Sequence, residues 1–304
     1  MCYTPTMAKE KIIVIVGPTA SGKSGLAIEV AKKYNGEIIS ADSRQVYRGL
    51  DIGTAKVTKE EMAGVPHHLI DITEVNDTYT VARFLEDARA AITEIRARGN
   101  LPIIVGGTFF YVDALLMKTA APAVPPNPTL RRALESKSED TLYAMLNEKD
   151  PRRAETIDRK NKRRLVRALE IIDALGAVPD MQKAAPPYDA LVLGLQIAKD
   201  DLRARMEDRA HSWLARGFLK ETEGLLTSGI TRSRLHELGF EYQLCMDLIA
   251  GKIDQERFIR SFVEKNWQYA KRQFTWLKRD PSIHWVYRSE KAEIDLLISQ
   301  FLLN

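Results

Sequence analysis

Short apolar runs alternate with longer amphipathic segments in the first third of the chain. The runs at 11–16, 37–40 and 101–105 have the length and character of buried strands. Apolar residues recur at helical positions over 24–34 and 80–98, which predicts a helix in each segment. Strands that alternate with helices in this way predict an α/β fold, with a parallel sheet flanked by helices.

The pattern changes after residue 115. Four prolines between 121 and 128 begin a mostly helical segment, 116–188, in which the spacing predicts helices over 129–135, 141–148 and 161–175. An apolar strand at 191–197 follows, and it most simply rejoins the first sheet. We therefore predict a core domain made of 7–115 and 189–304, interrupted by a helical insertion domain at 116–188.

The rest of the chain is predicted to be helical. Helices are expected over 201–216, 218–227, 242–249 and 254–279. The last of these has a stripe of apolar residues that we interpret as its core face: Ile259, Val263, Trp267, Ala270, Phe274 and Leu277. Its lysines and arginines lie off that stripe, where they face either solvent or the phosphates of a nucleic acid.

Composition narrows the class of protein. Hydrophobic residues make up 45% and charged residues 28% of the 304 residues, as in ordinary soluble proteins. The apolar run at 12–16 is too short to span a bilayer, so we expect no membrane partner. The two cysteines, Cys2 and Cys245, are far apart and have no metal-ligand spacing, which argues against a disulfide framework and fits a reducing cytoplasm. With no second apolar stripe left uncovered, a monomer is expected.

The distribution of charge along the chain is more informative about binding partners than the net charge. The net charge of +4 is a weak signal, but residues 152–167 contain eight Lys/Arg against Glu155 and Asp158, a net +6 from 8 − 2. Phosphates are the counter-charge that such a segment attracts.

The segment Gly17–Ser24 matches the P-loop pattern G-x-x-x-x-G-K-[ST] between a predicted strand and a predicted helix. Its glycines let successive backbone N–H groups point at phosphate oxygens, and the helix N-terminus adds positive potential. Lys23 supplies a full charge, and the Ser24 hydroxyl can reach Mg²⁺. The motif predicts phosphate binding without saying whose phosphate is bound.

Two further groups follow predicted strands, at the edge where ligands bind in open α/β sheets. Asp42 comes after the second strand, where it can hold a metal, accept a proton or simply cap its loop. Thr108 follows Gly106 and Gly107 after the later strand, where the glycines allow close backbone approach or form a plain turn. His67 and His68 lack the spacing of a zinc site and are interpreted as structural or near the substrate.

Read together, these segments resemble the tRNA dimethylallyltransferase (tRNA isopentenyltransferase) family in its shorter bacterial form. The resemblance extends from residue 12 to about 280. It rests on seven segments in register: GPTASGKS at 17–24, DSRQVY at 42–47, DIGTAK at 51–56, VPHHLID at 65–71, VGGT at 105–108, RLVRALE at 164–170 and YAKRQ at 269–273.

The resemblance implies a P-loop NTPase-like fold and an activity. Members transfer a dimethylallyl group from dimethylallyl diphosphate to N6 of the adenosine beside the tRNA anticodon, adenosine 37, and release diphosphate. It implies that Mg²⁺ and the P-loop hold the diphosphate, that Asp42 is the general base and that Thr108 lies near the reacting atoms. The implied diphosphate ligands are Gly17, Thr19, Ala20, Ser21, Gly22, Lys23 and Ser24, with Ser24 also on the metal.

The resemblance also implies that the insertion grips the tRNA anticodon stem-loop. The implied RNA-binding residues are Asp42, Ser43, Arg44, Gln45, Thr108, Arg131, Arg163, Arg164, Leu165, Val166 and Arg167. Two departures from the family pattern are Phe240, where a tyrosine is common, and Lys162, where a proline often follows the asparagine.

A P-loop kinase that phosphorylates a small metabolite with ATP is the main alternative, since it shares the motif and the fold. It does not predict the basic segment at 152–167. An RNA-binding GTPase or ATPase is a second alternative, but the chain has no Asn-Lys-x-Asp guanine motif.

Overall fold

The computed structural model describes residues 9–117, 124–125, 127–179 and 186–304. The chain forms two compact units, one made of Met1–Met117 with Ala185–Asn304 and one made of Lys118–Ala184. The predicted junctions of the insertion fall partly on residues outside the described ranges.

The first unit is built on a parallel six-stranded sheet with the order β3-β2-β4-β1-β5-β6. Its strands are β1 Glu10–Val16, β2 Gly36–Ser40, β3 His67–His68, β4 Leu101–Val105, β5 Tyr188–Gln196 and β6 Ile283–Tyr287. The strand predicted after the insertion does rejoin the first sheet, because β5 pairs along the whole of β1. The loop after β1 therefore lies at the middle of the sheet's carboxyl edge.

Both faces of β1 are covered by helices, which explains its unbroken apolar sequence. Ile13 and Ile15 pack in one hydrophobic cluster with helix α1 (Lys23–Lys33), while Ile12, Val14 and Val16 pack in the other. Successive residues of a strand point to opposite faces, so a strand between two helical layers must be apolar at every position. The predicted parallel sheet with flanking helices is confirmed.

The remaining described helices of this unit include the five others that were predicted, each within a few residues of its predicted bounds, and four that were not predicted. They are α2 Lys59–Met62, α3 Val81–Ala97 and α4 Phe109–Leu115, and, in the second segment, α9 Lys199–Ala215, α10 Phe218–Thr227, α11 Arg232–Leu238, α12 Phe240–Ile249, α13 Gln255–Leu277 and α14 Lys291–Leu303. The prediction that the end of the chain is entirely helical is wrong at β6, whose five residues add to the edge of the sheet beside β5.

The core face of α13 differs from its predicted stripe. Phe258 and Phe262 are fully buried, whereas Ile259 and Val263 are only partly so. Apolar residues occupy both faces at the start of this helix, so periodicity alone does not choose between them. The packing of α13 against α9 and α12 decides which face is buried.

The described residues of the second unit form four helices around a small hydrophobic core. They are α5 Pro128–Glu135, α6 Glu139–Lys149, α7 Pro151–Thr156 and α8 Lys162–Leu175, of which only α7 was not predicted. Asn161 caps α8 by accepting a hydrogen bond from the Arg164 N–H at 3.2 Å, so the helix begins where expected despite the missing proline. In the part of the chain that the structure describes, no helix combines the length and apolar character needed to cross a membrane.

Candidate active site

The P-loop connects β1 to α1 and needs glycine at its end. Gly22 occupies the N-cap of α1 with φ +94°, a left-handed conformation that glycine adopts without strain. Gly106, at the end of β4, lies so close to β2 that an added Cβ would be 2.1 Å from the Ala41 carbonyl oxygen. Glycine at this point lets the ends of β2 and β4 come together beside the P-loop.

A cavity of about 630 Å³ opens at this edge of the sheet. Seven of the predicted site residues line it: Thr19, Ala20, Gly22, Lys23, Ser24, Asp42 and Gln45. Strand ends that are separated by more than twenty residues in sequence thus contribute to one site. The other predicted residues of this unit (Gly17, Ser21, Ser43, Arg44 and Thr108) are not part of the cavity wall.

The side chain of Ser21 is buried behind the P-loop. Its Oγ has no hydrogen-bond partner among the described residues and would be 3.1 Å from a Cβ added to Gly17. The Ser21 N–H already donates to the Pro18 carbonyl at 3.3 Å. The Ser21 side chain therefore lies inside the loop rather than on the cavity wall.

Lys23 is held within the P-loop and is desolvated there. Its Nζ donates a hydrogen bond to the Pro18 carbonyl oxygen at 2.7 Å. Burial lowers the pKa of Lys23 to about 7, and the positive charge of Arg209 lowers it further, while Asp42 opposes the shift. A lysine with this pKa changes charge near neutral pH, and a phosphate bound beside it would favour the protonated form.

Asp42 caps its loop, which was one of the roles considered for it from the sequence, and it also lines the cavity. Its Oδ1 accepts hydrogen bonds from the backbone N–H groups of Arg44 at 2.9 Å and Gln45 at 3.3 Å. Thr108 supports the same loop, because its Oγ1 accepts from the Ser43 N–H at 3.1 Å. The turn thereby fixes the Asp42 carboxylate at the cavity wall.

Two arginines that the sequence analysis missed complete the P-loop side of the cavity. Arg205 and Arg209 lie one turn apart on α9. Arg209 donates to Thr19 Oγ1 at 3.0 Å, and Arg205 donates to the Ser21 carbonyl at 3.2 Å. Their i, i+4 spacing indicates that both lie on the same face of a helix, but nothing in the sequence places α9 against the P-loop.

Gln273 is a third residue that the sequence did not identify, and it bridges two parts of the site. It is almost fully buried on α13. Its Oε1 accepts from the Thr19 N–H at 2.8 Å, and its Nε2 donates to the Gly107 carbonyl at 3.1 Å. One amide thus links the P-loop to the turn that carries Thr108.

The segment after Asp42 is held by charged side chains. The Glu221 carboxylate accepts hydrogen bonds from the backbone N–H groups of residues 51, 52 and 53 at 3.1, 2.6 and 3.0 Å. Lys56, which is buried, donates to Asp51 at 2.6 Å and forms an ion pair with Asp71. These contacts shape the wall of the cavity around 54–57.

The two histidines have structural partners. His68 Nε2 lies 2.6 Å from Glu37 Oε2, and Arg98 binds the same carboxylate through two hydrogen bonds. The Arg98 guanidinium lowers the pKa of Glu37 to about 2, so this carboxylate is ionised in the folded protein. His67 bonds the Val65 carbonyl at 2.8 Å. No group of three potential metal-ligating side chains occurs in the described residues.

The second unit presents the predicted RNA-binding residues in different ways. Arg163 and Arg164 are exposed on α8. Leu165 and Val166 are buried in the core of the unit, so the prediction that they contact RNA is wrong for their side chains. They were implied as part of a continuous stretch, but a helix presents only part of any such stretch to the outside, because residues on one face are spaced by three or four.

Arg131 and Arg167 converge on a buried carboxylate in the same unit. Arg131 forms two hydrogen bonds to Glu170, at 3.1 and 2.6 Å, and Arg167 lies 3.5 Å from the same side chain. The Glu170 side chain has no exposed surface. Both arginines therefore have a structural role in this unit, and their contact with RNA stays a prediction.

The fold and the cavity together define an α/β protein of the P-loop class, in which a phosphate-binding loop and a carboxylate from the next strand face one cavity. A sequence model described as IPP transferase matches residues 45–280. The chain belongs to the IPP transferase family, and it is a transferase.

Relatives and solved structures agree with this assignment. The chain is 40% identical to the tRNA dimethylallyltransferase of Thermomicrobium roseum over 91% of this chain and 86% of that protein. The crystal structure of the full-length tRNA isopentenylpyrophosphate transferase from Bacillus halodurans superposes with a TM-score of 0.72 at 38% identity, with 97% of each chain covered. A eukaryotic dimethylallyltransferase acting on tRNA gives a TM-score of 0.79 at 30% identity, over 96% of this chain and 77% of that one. These relatives do not favour the kinase alternative.

Proposed function

We propose that this protein transfers the dimethylallyl group of dimethylallyl diphosphate to N6 of adenosine 37 in tRNA, giving N6-isopentenyladenosine and diphosphate. The observation that carries the proposal is that Lys23 and Asp42 line one cavity from two different strand ends. A cation suited to the leaving group and a carboxylate suited to the nucleophile thus face the same space. A volume of about 630 Å³ suits a small diphosphate ester together with a nucleobase.

The P-loop side of the cavity stabilises the leaving group. As the allylic C–O bond breaks, negative charge accumulates on the diphosphate, and the N-terminus of α1 and Lys23 face that charge. Arg205 and Arg209 line the same side and add two guanidinium groups to the positive charge of the P-loop. Their charge is most valuable in the transition state, when the diphosphate carries more charge than in the bound substrate.

The Asp42 side of the cavity assists the nucleophile. The exocyclic nitrogen of adenine is a weak nucleophile, because its lone pair is delocalised into the ring. Asp42 accepts the proton that N6 loses as the new C–N bond forms, which is general base catalysis. The two hydrogen bonds from the backbone of residues 44 and 45 keep the carboxylate in position. A stacked base cannot enter such a cavity, so the adenosine is turned out of the RNA.

The residues present fit a Mg²⁺ ion held jointly with the diphosphate. The Ser24 hydroxyl and the Asp42 carboxylate both line the cavity, and oxygen ligands of this kind, completed by phosphate oxygens, are what Mg²⁺ prefers. When bound, the ion neutralises charge on the departing diphosphate. Ser24 is the residue that we propose as its protein ligand.

The test is transfer of label. The protein is incubated with Mg²⁺, labelled dimethylallyl diphosphate and a synthetic anticodon stem-loop that carries the target adenosine. A second stem-loop with guanosine at that position is the control. Label on the adenosine RNA alone supports the proposal, whereas ATP hydrolysis or phosphoryl transfer without labelled RNA would support the kinase alternative instead.

A further inference from the structure

Arg44 lies two residues after the proposed base Asp42, and its guanidinium is paired with a glutamate at the start of α12. Arg44 Nη1 donates to Glu241 Oε2 at 3.4 Å, across 197 residues of sequence. The Glu241 side chain is mostly buried, with 14% of its surface exposed, whereas 37% of the Arg44 side chain is exposed. The chemistry described above gives this pair no role.

Gly239 makes room for the ion pair between Arg44 and Glu241. A Cβ added to Gly239 would collide with Arg44 Nη1 and with Glu241 Oε2. The backbone at Gly239 is extended, with φ 170°, so glycine is required here for space and not for conformation. The loop before α12 is therefore shaped around the paired guanidinium and carboxylate.

The Asp42 carboxylate has one oxygen left for a substrate. Its Oδ1 accepts the backbone N–H groups of Arg44 and Gln45, and among the described residues no group bonds or pairs with its Oδ2. The Arg44 N–H is 2.9 Å from Oδ1, so the Arg44 side chain begins beside the carboxylate. A guanidinium that turned to Oδ2 would occupy the lone pairs that accept the proton from N6, and it would make Asp42 a weaker base.

Glu241 is electrostatically coupled to several groups around the cavity. Burial raises the pKa of Glu241, and the Arg44 guanidinium opposes that shift. Burial lowers the pKa of Arg209, and Glu241 opposes that shift in turn. The titratable side chains coupled to Glu241, apart from Arg44, come from the Asp42 turn, α9, α12 and α13: Asp42, Arg209, Tyr242 and Tyr269. Within the described residues, Arg44 is the cation that forms an ion pair with Glu241, so a change at Glu241 acts first on Arg44.

We propose that Glu241 is a positioning residue, which holds the Arg44 guanidinium away from Asp42 and so keeps the Asp42 carboxylate free to accept the proton of the adenine amino group. The proposal rests on the proposed function, because it assumes that Asp42 is the base. In the transfer step the N6–C bond forms, the allylic C–O bond breaks and the N6 proton passes to Asp42, while Glu241 and Arg44 exchange no proton. Without Glu241, the nearby Asp42 carboxylate is the partner that the guanidinium pairs with, because charge-assisted hydrogen bonds of this kind are strong in a partly buried site.

The test measures the effect of Glu241→Gln with and without the arginine. Glutamine keeps the size of the side chain and removes its charge. Single-turnover transfer is measured at saturating dimethylallyl diphosphate and stem-loop RNA, beside the affinity for inorganic diphosphate. We expect Glu241→Gln to transfer about tenfold more slowly, a part of the contribution of a general base, without weaker binding of diphosphate. In an Arg44→Gln background the same change should alter the rate by less than about twofold, because no guanidinium is left to pair with Asp42.

A second variant and a control support the comparison. Gly239→Ala displaces the Arg44 guanidinium from Glu241 by collision, so it should slow transfer when Arg44 is present and have little effect in the Arg44→Gln background. Glu237→Gln removes a carboxylate from another ion pair, with Arg234 on α11, and should leave the transfer rate unchanged. Thermal unfolding of each variant separates a loss of rate from a loss of folded protein.

The outcomes distinguish this proposal from the proposed function. If the unchanged protein does not label RNA, the proposed function fails and the role of Glu241 fails with it. If it labels RNA and Glu241→Gln keeps the full rate, only the role of Glu241 is overturned. Equal losses of rate with and without Arg44 would make Glu241 a structural residue, and weaker diphosphate binding at full saturated rate would mean that it acts through Arg209 instead.

Discussion

The side-chain oxygen of Gln273 accepts a hydrogen bond from the backbone N–H of Thr19 at 2.8 Å, across 254 residues of sequence. The amide nitrogen of the same side chain donates to Gly107. A neutral amide suits both bonds, because its oxygen accepts from one backbone group and its nitrogen donates to the other. Gln273 therefore joins the P-loop to the turn after β4 through a single buried side chain.

Gln273→Glu is expected to weaken diphosphate binding about tenfold or more. The carboxylate keeps the bond to Thr19 but faces the Gly107 carbonyl without a proton to donate, and a buried unmatched acceptor costs about 1–3 kcal/mol. Calorimetric titration with inorganic diphosphate measures the effect. The matched control is Gln268→Glu, an exposed position on the same helix. Equal diphosphate affinity in both variants would show that the bridge does not position the P-loop.

Asp42→Asn is expected to reduce prenyl transfer by about 10²–10⁴-fold, the usual contribution of a general base. Asparagine keeps an oxygen that accepts from the N–H groups of Arg44 and Gln45, so the loop and the affinity for RNA should be preserved. Single-turnover transfer at saturating RNA is measured beside stem-loop binding. A variant that retains full turnover, or that loses RNA affinity instead, would show that Asp42 is not the base.

Diphosphate affinity is expected to fall as pH rises through the pKa of Lys23. Burial brings that pKa to about 7 in the free protein, so the side chain is protonated below this pH and increasingly neutral above it. Between pH 7 and 9 the affinity should drop by about tenfold or more, because proton uptake must accompany binding. Lys23→Arg keeps its charge over this range and should remove most of the pH dependence. A flat profile for the unchanged protein would contradict the desolvation of Lys23.

Glu170→Gln is expected to destabilise the helical unit by about 1–3 kcal/mol. The carboxylate is fully buried between Arg131 and Arg167, whose guanidinium groups are partly exposed, and an amide replaces its charge-assisted hydrogen bonds by weaker ones. Thermal unfolding and limited proteolysis measure the loss, with Glu155→Gln, an exposed glutamate of the same unit, as the control. Unchanged unfolding in both variants would mean that the ion pairs contribute nothing net.

Arg163→Ala and Arg164→Ala are expected to weaken stem-loop binding without lowering the unfolding temperature. Both side chains are exposed on α8. The side chains of Leu165 and Val166, in contrast, are buried in the core of the unit, where RNA cannot reach them. Each lost phosphate contact should reduce the salt slope by about 0.7–0.9. Salt slopes equal to that of the unchanged protein would place both residues off the RNA interface.

Local patterns in the sequence were sufficient for most of the fold. Both faces of β1 are buried, and this appears in the sequence as an unbroken apolar run; the P-loop pattern then identifies the turn that follows it. The strand near 191 could be joined to the first sheet because βαβ connections favour one parallel sheet. Short elements escaped prediction, since the two residues of β3 and the five of β6 are strands only because a neighbour pairs with them.

The site was determined by the sequence only where its residues follow a strand directly. Lys23 and Asp42 were found because the carboxyl ends of parallel strands share one edge, which is a property of the sheet rather than of long-range packing. Arg209 and Gln273 were not found, because their positions depend on how α9 and α13 pack against the P-loop. The same packing chose the buried face of α13 and left Tyr269 at the cavity wall. The sequence by itself thus determined the phosphate loop and the Asp42 carboxylate. The tertiary structure decided which distant side chains surround them, because helix packing depends on shape complementarity that no local pattern records.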